Sequence, residues 1–147
     1  MFRRSFFVLA IAVAAVPLSA AQAQGPKDPC GLFTKDELEA AFGYPLQPGG
    51  LDATKQLCSY NGRNNETITI AMDTGRTTAA EFQDSQAMLE GKSVSGIGDA
   101  AFFFLARLYI RVGNKSFTIS AGEADEPSPK VRAALIALGK TAVPRMK

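Results

Sequence analysis

The segment Ser95–Phe104, SGIGDAAFFF, places two glycines and an acidic residue ahead of an apolar run. A glycine loop holds a phosphate when its backbone amides point at the anion from the start of a helix. This loop leads into a strand-like run, lacks the third glycine of a dinucleotide motif and the lysine of a P-loop, and carries Asp99, which would repel an anion. The pattern favours a tight turn over a ligand loop, with unusual backbone angles at Gly96 and Gly98 and with Asp99 capping amides of its own turn or of a neighbouring helix.

A second candidate site follows in the alternating segment after this loop. Arg107, Tyr109 and Arg111 share one face of a predicted strand, and Thr118 lies on the same face of the next strand. Two arginines beside a tyrosine can hold an acidic or carbohydrate-like ligand through charge-assisted hydrogen bonds and stacking. The same pattern is typical of an ordinary solvated sheet face, and both interpretations stand. A pocket between Phe102–Phe104 and the helices is a further hypothesis.

The residue inventory argues against most enzyme classes. The chain contains no histidine, so it lacks the commonest general base at neutral pH and the commonest metal ligand. We predict no catalytic residue, no metal site and no cofactor. A histidine-independent hydrolase using Ser–Lys or paired carboxylates is an alternative, although the chain has no S-x-x-K motif. The leading hypothesis is a binding module for a small polar ligand, and the alternative is an accessory protein that contacts an envelope protein through a strand edge.

The first 23 residues predict export. A basic start at Arg3 and Arg4, an apolar run and a small-residue ending at Ala21–Ala23 are typical of a secretory signal peptide cleaved near Ala23. The apolar run is shorter than the roughly 20 residues that span a bilayer, so no transmembrane segment is expected after cleavage. We expect a periplasmic or secreted protein with one domain over residues 24–147, of which 24–29 form a loose arm.

Export changes how the charge and the cysteines are interpreted. The chain has 16 Lys and Arg against 14 Asp and Glu, and residues 1–23 hold two of the arginines and no acid, so the remainder is formally neutral. This charge balance gives no support for binding to nucleic acid or to an anionic membrane, and no nucleic-acid partner is expected. Cys30 and Cys58 are predicted to form a disulfide, because such bonds persist outside the cytosol. A redox or metal site is the weaker alternative, since one distant cysteine pair without histidine is a poor ligand set.

The signals for secondary structure indicate three helices and five strands. Two helices begin with a capping box, formed by Thr34 with Glu37 and by Thr78 with Glu81, and are predicted to end at Gly43 and Gly91. The third begins at Ser128, ahead of a proline. Alternating segments predict two hairpins, the second turning at Gly113–Asn114. The order α-β-β-α-β-β-β-α predicts an α+β domain with an antiparallel sheet of about five strands and helices packed on one face.

Several of these short motifs occur together in a known pattern. They are Asp28-Pro29-Cys30 with Thr34 and Glu37, then Cys58-x-Tyr60, then Val94–Ala100 with its two glycines, and a final Ala/Leu-rich helix. The chain resembles a family of small exported bacterial cell-envelope domains of unknown function that begin with a DPC-x-L-L-T-x-x-E type motif. The resemblance implies a disulfide-stapled α+β domain without an assigned activity. The lipid-bearing cysteine common in that family is missing here.

Overall fold

A computed structural model describes residues 25–73, 75–122 and 126–147, and the predicted leader lies outside them. The elements of the described residues, in chain order, are α1 (Lys35–Phe42), β1 (Gly50–Leu51), β2 (Leu57–Asn61), β3 (Thr67–Met72), α2 (Ala79–Met88), β4 (Lys92–Ser93), β5 (Ala100–Phe104), β6 (Arg107–Val112), β7 (Lys115–Ala121) and α3 (Pro129–Ala142). Short 3-10 turns at Pro29–Gly31 and Val143–Met146 flank this set.

The helix starts follow the predicted side-chain caps. Thr34 accepts a hydrogen bond from the Glu37 amide while the Glu37 carboxylate accepts one from the Thr34 amide, and Thr78 and Glu81 repeat this arrangement at α2. Each box satisfies amides that have no partner inside the helix. Ser128 caps α3 by accepting from the Val131 amide. The three predicted helix starts are confirmed.

The sheet is antiparallel throughout the described residues, in the order β1-β2-β3-β7-β6-β5-β4. The α+β class and both predicted hairpins are confirmed, but the predicted number of about five strands is wrong, because the sheet has seven. The two additional strands are β1 and β4, the outer ones. Each is two residues long, which is too short to carry a two-residue alternation that sequence could reveal.

One face of the sheet packs against α1 and α3 and forms the main core. Its side chains are the alternate residues of the inner strands, together with the apolar stripes of the two helices; the fully buried ones include Leu38, Ile68, Ile70, Leu108, Ile110, Ile119 and Leu135. Gly139 of α3 lies so close to the sheet that an added Cβ would be 2.8 Å from Ile110 Cδ1. This close approach of helix to sheet explains a glycine in the interior of α3.

The prediction that the helices share one face is wrong for α2. Phe82 of α2 packs on Phe102 of β5, with ring centroids 5.1 Å apart, and Phe102 stacks on Tyr109 of β6 at 4.6 Å. Phe102 projects opposite to its neighbours Ala101 and Phe103, which belong to the main core. Phe102 and Tyr109 therefore form an aromatic patch on the second face of the sheet, the face opposite the main core. The helix α2 packs on this patch because burying aromatic surface is favourable.

The end of α2 also differs from the prediction. The left-handed position after the helix is occupied by Glu90, with φ 54°, and the Gly91 amide donates to the Gln86 carbonyl in a Schellman motif. The prediction that Gly91 provides the left-handed residue at the end of α2 is wrong, because Glu90 adopts that conformation. A Cβ at this position would be 2.3 Å from the Phe102 ring, so the absent side chain leaves room for the aromatic patch.

The predicted disulfide is present and joins the amino-terminal turn to the sheet. Cys30 and Cys58 are bonded with their Cα atoms 5.1 Å apart, and Cys58 on β2 is fully buried on the core face. The Tyr60 hydroxyl donates to the Cys30 carbonyl at 3.2 Å, and burial raises the pKa of this hydroxyl. Covalent and hydrogen bonds thus hold the same turn on β2.

An ion pair connects the start of α1 to the carboxyl-terminal turn. Arg145 donates to both carboxylate oxygens of Glu37 and also to the Leu32 carbonyl. The pKa of Glu37 is lowered from 4.5 to about 2, chiefly by the Arg145 hydrogen bond and next by the Thr34 amide. Because the pKa of Glu37 is lower in the folded state, its stabilisation is present above about pH 4.5 and is lost as the pH falls toward about 2.

We expect Glu37→Gln to lower the free energy of unfolding at neutral pH by about 1 kcal/mol, a value reduced by the partial exposure of both partners. Glutamine keeps the capping bonds and removes the charge. Glu81→Gln is the matched control, because no arginine of the described residues pairs with Glu81, and its effect should stay within about 0.5 kcal/mol. Urea unfolding at neutral pH and near pH 3 measures both. Equal losses in the two variants, or a loss for Glu37→Gln that does not shrink in acid, would contradict the role of Arg145.

Candidate functional site

The glycine loop lies against the turn between β6 and β7. Gly96 and Gly98 have φ values of 78° and 59°, in the left-handed region that favours glycine. The Asp99 amide donates to the Arg111 carbonyl at 2.9 Å, and the Asp99 carboxylate accepts from the Gly113 amide at 2.6 Å. Asp99 therefore holds a hairpin turn 14 residues further on, which is neither of the partners considered from the sequence.

The predicted Arg–Tyr–Arg surface is divided among different environments. Arg107 is exposed at the start of β6, whereas Arg111 donates to the Gly113 carbonyl and lies 3.7 Å from Asp99. Tyr109 is half-buried beneath α2 and stacks on Phe102. Thr118 of β7 pairs with Tyr109 and is also half-buried. Tyr109 and Thr118 line one cavity together, and neither Arg107 nor Arg111 belongs to its described lining.

These two residues line a cavity that we call the α2 groove. It lies between α2, the second face of the sheet and the β1–β2 loop, and its volume is about 660 Å³. Its lining residues are Asp52, Thr54, Gln56, Leu57, Ala71, Met72, Asp73, Thr77, Phe82, Ser85, Met88, Leu89, Phe102, Tyr109, Ser116, Phe117 and Thr118. The volume falls within the range of about 300–1,000 Å³ that small-molecule sites occupy.

The groove exists because α2 covers its face of the sheet incompletely. Phe82 is the one buried residue of this helix, while Leu89 is half-buried and Met88 is 78% exposed. A helix attached through a single aromatic side chain cannot fill the surface beneath it. The apolar side chains around Phe82 therefore remain accessible from the groove, and they form its apolar part.

The polar part of the groove is a network of hydroxyls and carboxylates. The Thr77 hydroxyl donates to Asp73 at 2.9 Å and lies 2.8 Å from the Ser116 hydroxyl. Thr77 is 9% exposed and is the buried polar residue of the described chain. Asp52 accepts from the Thr54 hydroxyl and from the Gln56 and Leu57 amides. Hydrogen bonds from Thr54 and then from the Leu57 amide lower the pKa of the Asp52 carboxyl.

Sequence reasoning identified part of this site and missed the rest. Strand alternation places Tyr109 and Thr118 on one face, and the hypothesis of a pocket between Phe102–Phe104 and the helices points to the same part of the sheet. Strand alternation gives no signal for Asp52, Asp73 or Thr77. Asp52 precedes β2 and Asp73 follows β3, and the antiparallel pairing of these strands brings both residues to the same end of the sheet. Residues that meet only through strand pairing have no characteristic spacing in the sequence.

Comparisons with known proteins add no relative: no family model, curated protein or solved structure matches the chain. The resemblance to small exported envelope domains therefore stays a prediction. Within residues 25–73, 75–122 and 126–147, no helix has the length and apolar character needed to cross a membrane. The same residues hold no cluster of three or more carboxylate or cysteine side chains suited to a metal ion.

Proposed function

We propose that this protein is an exported, non-catalytic binding domain that holds a small amphipathic molecule in the α2 groove. The observation that carries the proposal is the groove itself, in which apolar side chains and a hydrogen-bonded polar network face one space of about 660 Å³. Sites for small molecules combine a mainly apolar wall with a few placed polar groups. The α2 groove has this composition.

The apolar part would supply most of the binding free energy. Phe102 and Tyr109 stack nearly parallel, with 6° between their ring planes, so the fully buried Phe102 supports the half-buried Tyr109 ring, which lines the groove together with the half-buried Leu57 and Met72. An alkyl or aromatic group placed there would remove apolar area from water at about 25 cal/mol per Å². Leu89 and Met88 border the same space, and methionine adapts to varied ligand shapes.

Two further features support an exported, non-catalytic role. The Cys30–Cys58 disulfide is of the kind that persists in oxidising compartments. It also engages both cysteines of the chain, which has no histidine, so neither a thiol nucleophile nor an imidazole base is available for catalysis. The accessory role through a strand edge has less support, because both outer strands are two residues long and offer little edge to a partner.

A bulky residue placed in the groove from α2 should weaken binding without unfolding the protein. We expect Ser85→Phe to weaken binding of the fluorescent apolar probe N-phenyl-1-naphthylamine by about tenfold or more, because Ser85 lines the groove. Fluorescence titration of the purified protein measures this. The filled groove should leave the unfolding midpoint unchanged or slightly raised.

Gln83→Phe is the matched control, since Gln83 is exposed on the same helix and does not line the groove. It introduces the same side chain at similar helix propensity and should leave probe affinity within about twofold of the parent. Probe binding that responds equally to both variants, or that survives Ser85→Phe, would show that the probe binds elsewhere.

A further inference from the structure

We infer that the ligand of the α2 groove carries a cationic, hydrogen-bond-donating head group, a primary ammonium on an apolar body. This inference rests on the proposed function and adds the chemical class of the ligand. Its basis is the direction of the hydrogen bonds in the polar part of the groove. The negative charges that line the groove point to the same ligand class.

The protons of the Asp73–Thr77–Ser116 network are already committed. An ionised carboxylate only accepts, so the Thr77 hydroxyl gives its proton to Asp73 at 2.9 Å. The contact of 2.8 Å between the Thr77 and Ser116 hydroxyls must then use the Ser116 proton. Ser116 is left with its oxygen lone pairs to offer to the groove. A ligand that meets this network has to donate.

The β1–β2 loop has the same polarity. Thr54 donates its hydroxyl proton to Asp52, so the Thr54 oxygen also offers only lone pairs. Asp52 and Thr54 line the groove together with Asp73 and Ser116. Two separate segments of the chain thus present acceptors whose own protons are used internally. Tyr109 and Thr118, deeper on the sheet, can donate or accept.

The charges that line the groove are both negative. Asp52 and Asp73 belong to its lining, and none of the described lysines or arginines does. An adjoining cavity shares Met72 and Asp73 with the groove and is bordered by the basic residues Lys27, Lys55, Arg76 and Lys115. Among the described residues none of these forms an ion pair with Asp73. The carboxylates therefore complement a positive head group and would repel an anionic one.

A primary ammonium meets these requirements better than other donors. It concentrates one positive charge and three donors at one end of a molecule. The rest of an alkylamine is apolar and suits the half-buried apolar side chains of the groove, Leu57, Met72 and Tyr109. A fatty acid of the same length would suit that surface equally well and would place its carboxylate beside two aspartates. Ligands with the same apolar chain should therefore differ in affinity according to the charge of the head group.

Three ten-carbon probes with different head groups test the inference: decylamine, decanol and decanoate, each kept below its micelle concentration or solubility limit. Displacement of N-phenyl-1-naphthylamine at low salt gives the three affinities. We expect decylamine to bind about tenfold or more tightly than decanoate, with decanol between them. Asp73→Asn should reduce this preference to about threefold or less. Asp84→Asn, which removes an exposed charge of α2 outside the groove, should leave it unchanged.

Salt provides a second measurement that needs no variant. Raising the ionic strength should weaken decylamine binding and leave decanol binding unaffected, because only the former includes charge attraction. Equal affinities for the three probes, or preference for decanoate, would overturn the head-group inference while leaving the groove as a binding site. If N-phenyl-1-naphthylamine does not bind, or none of the three ten-carbon probes displaces it, the proposed function fails and the head-group inference fails with it.

Discussion

Replacing Gly98 with alanine is expected to lower the free energy of unfolding by about 3 kcal/mol, because two costs combine. The residue has φ 59°, where an L side chain costs about 1–2 kcal/mol. The added Cβ would also lie 2.5 Å from the Arg111 carbonyl oxygen, a backbone atom of the central hairpin that cannot move aside. Relief of this overlap would pull the Asp99 amide off the same carbonyl, which it binds at 2.9 Å. Urea unfolding followed by circular dichroism measures the loss.

Gly96→Ala is the matched control in the same loop. Its φ of 78° is also left-handed, but nothing lies within 4 Å of a Cβ added there. Only the backbone cost applies, so the loss should be about 1 kcal/mol. Equal losses for the two variants would show that backbone angle alone requires both glycines, and that close packing of the loop on β6 contributes nothing. A larger loss of unfolding free energy for Gly98→Ala than for Gly96→Ala would show that the glycine loop stabilises the hairpin by packing closely against it.

The helix boundaries were predictable because their signals are local. Thr34 and Glu37 lie three residues apart, and the bonds between them depend on no other part of the chain. Thr78 and Glu81 repeat the same local geometry. The end of α2 was less predictable, since Glu90 adopts the left-handed angle that glycine usually provides. The adjacent Gly91 is required by a contact with Phe102, and that contact arises only when the sheet forms.

The placement of α2 could not be predicted from its own sequence. Its helical faces differ little in apolar character, and Phe82 alone anchors it. Periodicity therefore does not indicate which face of the sheet it covers. The decisive residue is Phe102, whose neighbours Ala101 and Phe103 are also apolar, so no alternation marks that it faces away from the main core. An unbroken apolar run hides its two faces.

The candidate site was accordingly half visible in the sequence. Alternation placed Tyr109 and Thr118 on the second face, but it predicted that this face was solvated. Once α2 lies over them, the same positions become the floor of a groove. The polar wall depends on β3 and β7 being neighbours, which brings the Asp73 amide onto the Ser116 carbonyl at 3.0 Å. These strands are far apart in sequence, so only the fold reveals the pairing.

Removing the disulfide with Cys30→Ala/Cys58→Ala is expected to lower the free energy of unfolding by about 3 kcal/mol. The bond closes a loop across 28 positions and so limits the conformations of the unfolded chain. It also fixes the turn whose Cys30 carbonyl accepts from the Tyr60 hydroxyl. Urea unfolding should give a lower midpoint for the double variant. In reductant, the parent protein should unfold at nearly the same urea midpoint as the double variant.

The same double variant separates stability from binding, because the two features lie on opposite faces of the sheet. Cys58 projects into the main core, whereas Leu57 beside it lines the α2 groove. Below the unfolding transition, N-phenyl-1-naphthylamine should therefore bind the variant within about twofold of its affinity for the parent. If the unfolding midpoint of the parent protein does not fall in reductant, the stabilising role of the disulfide is contradicted. A loss of probe binding in the folded variant would show that the amino-terminal turn supports the groove through the sheet.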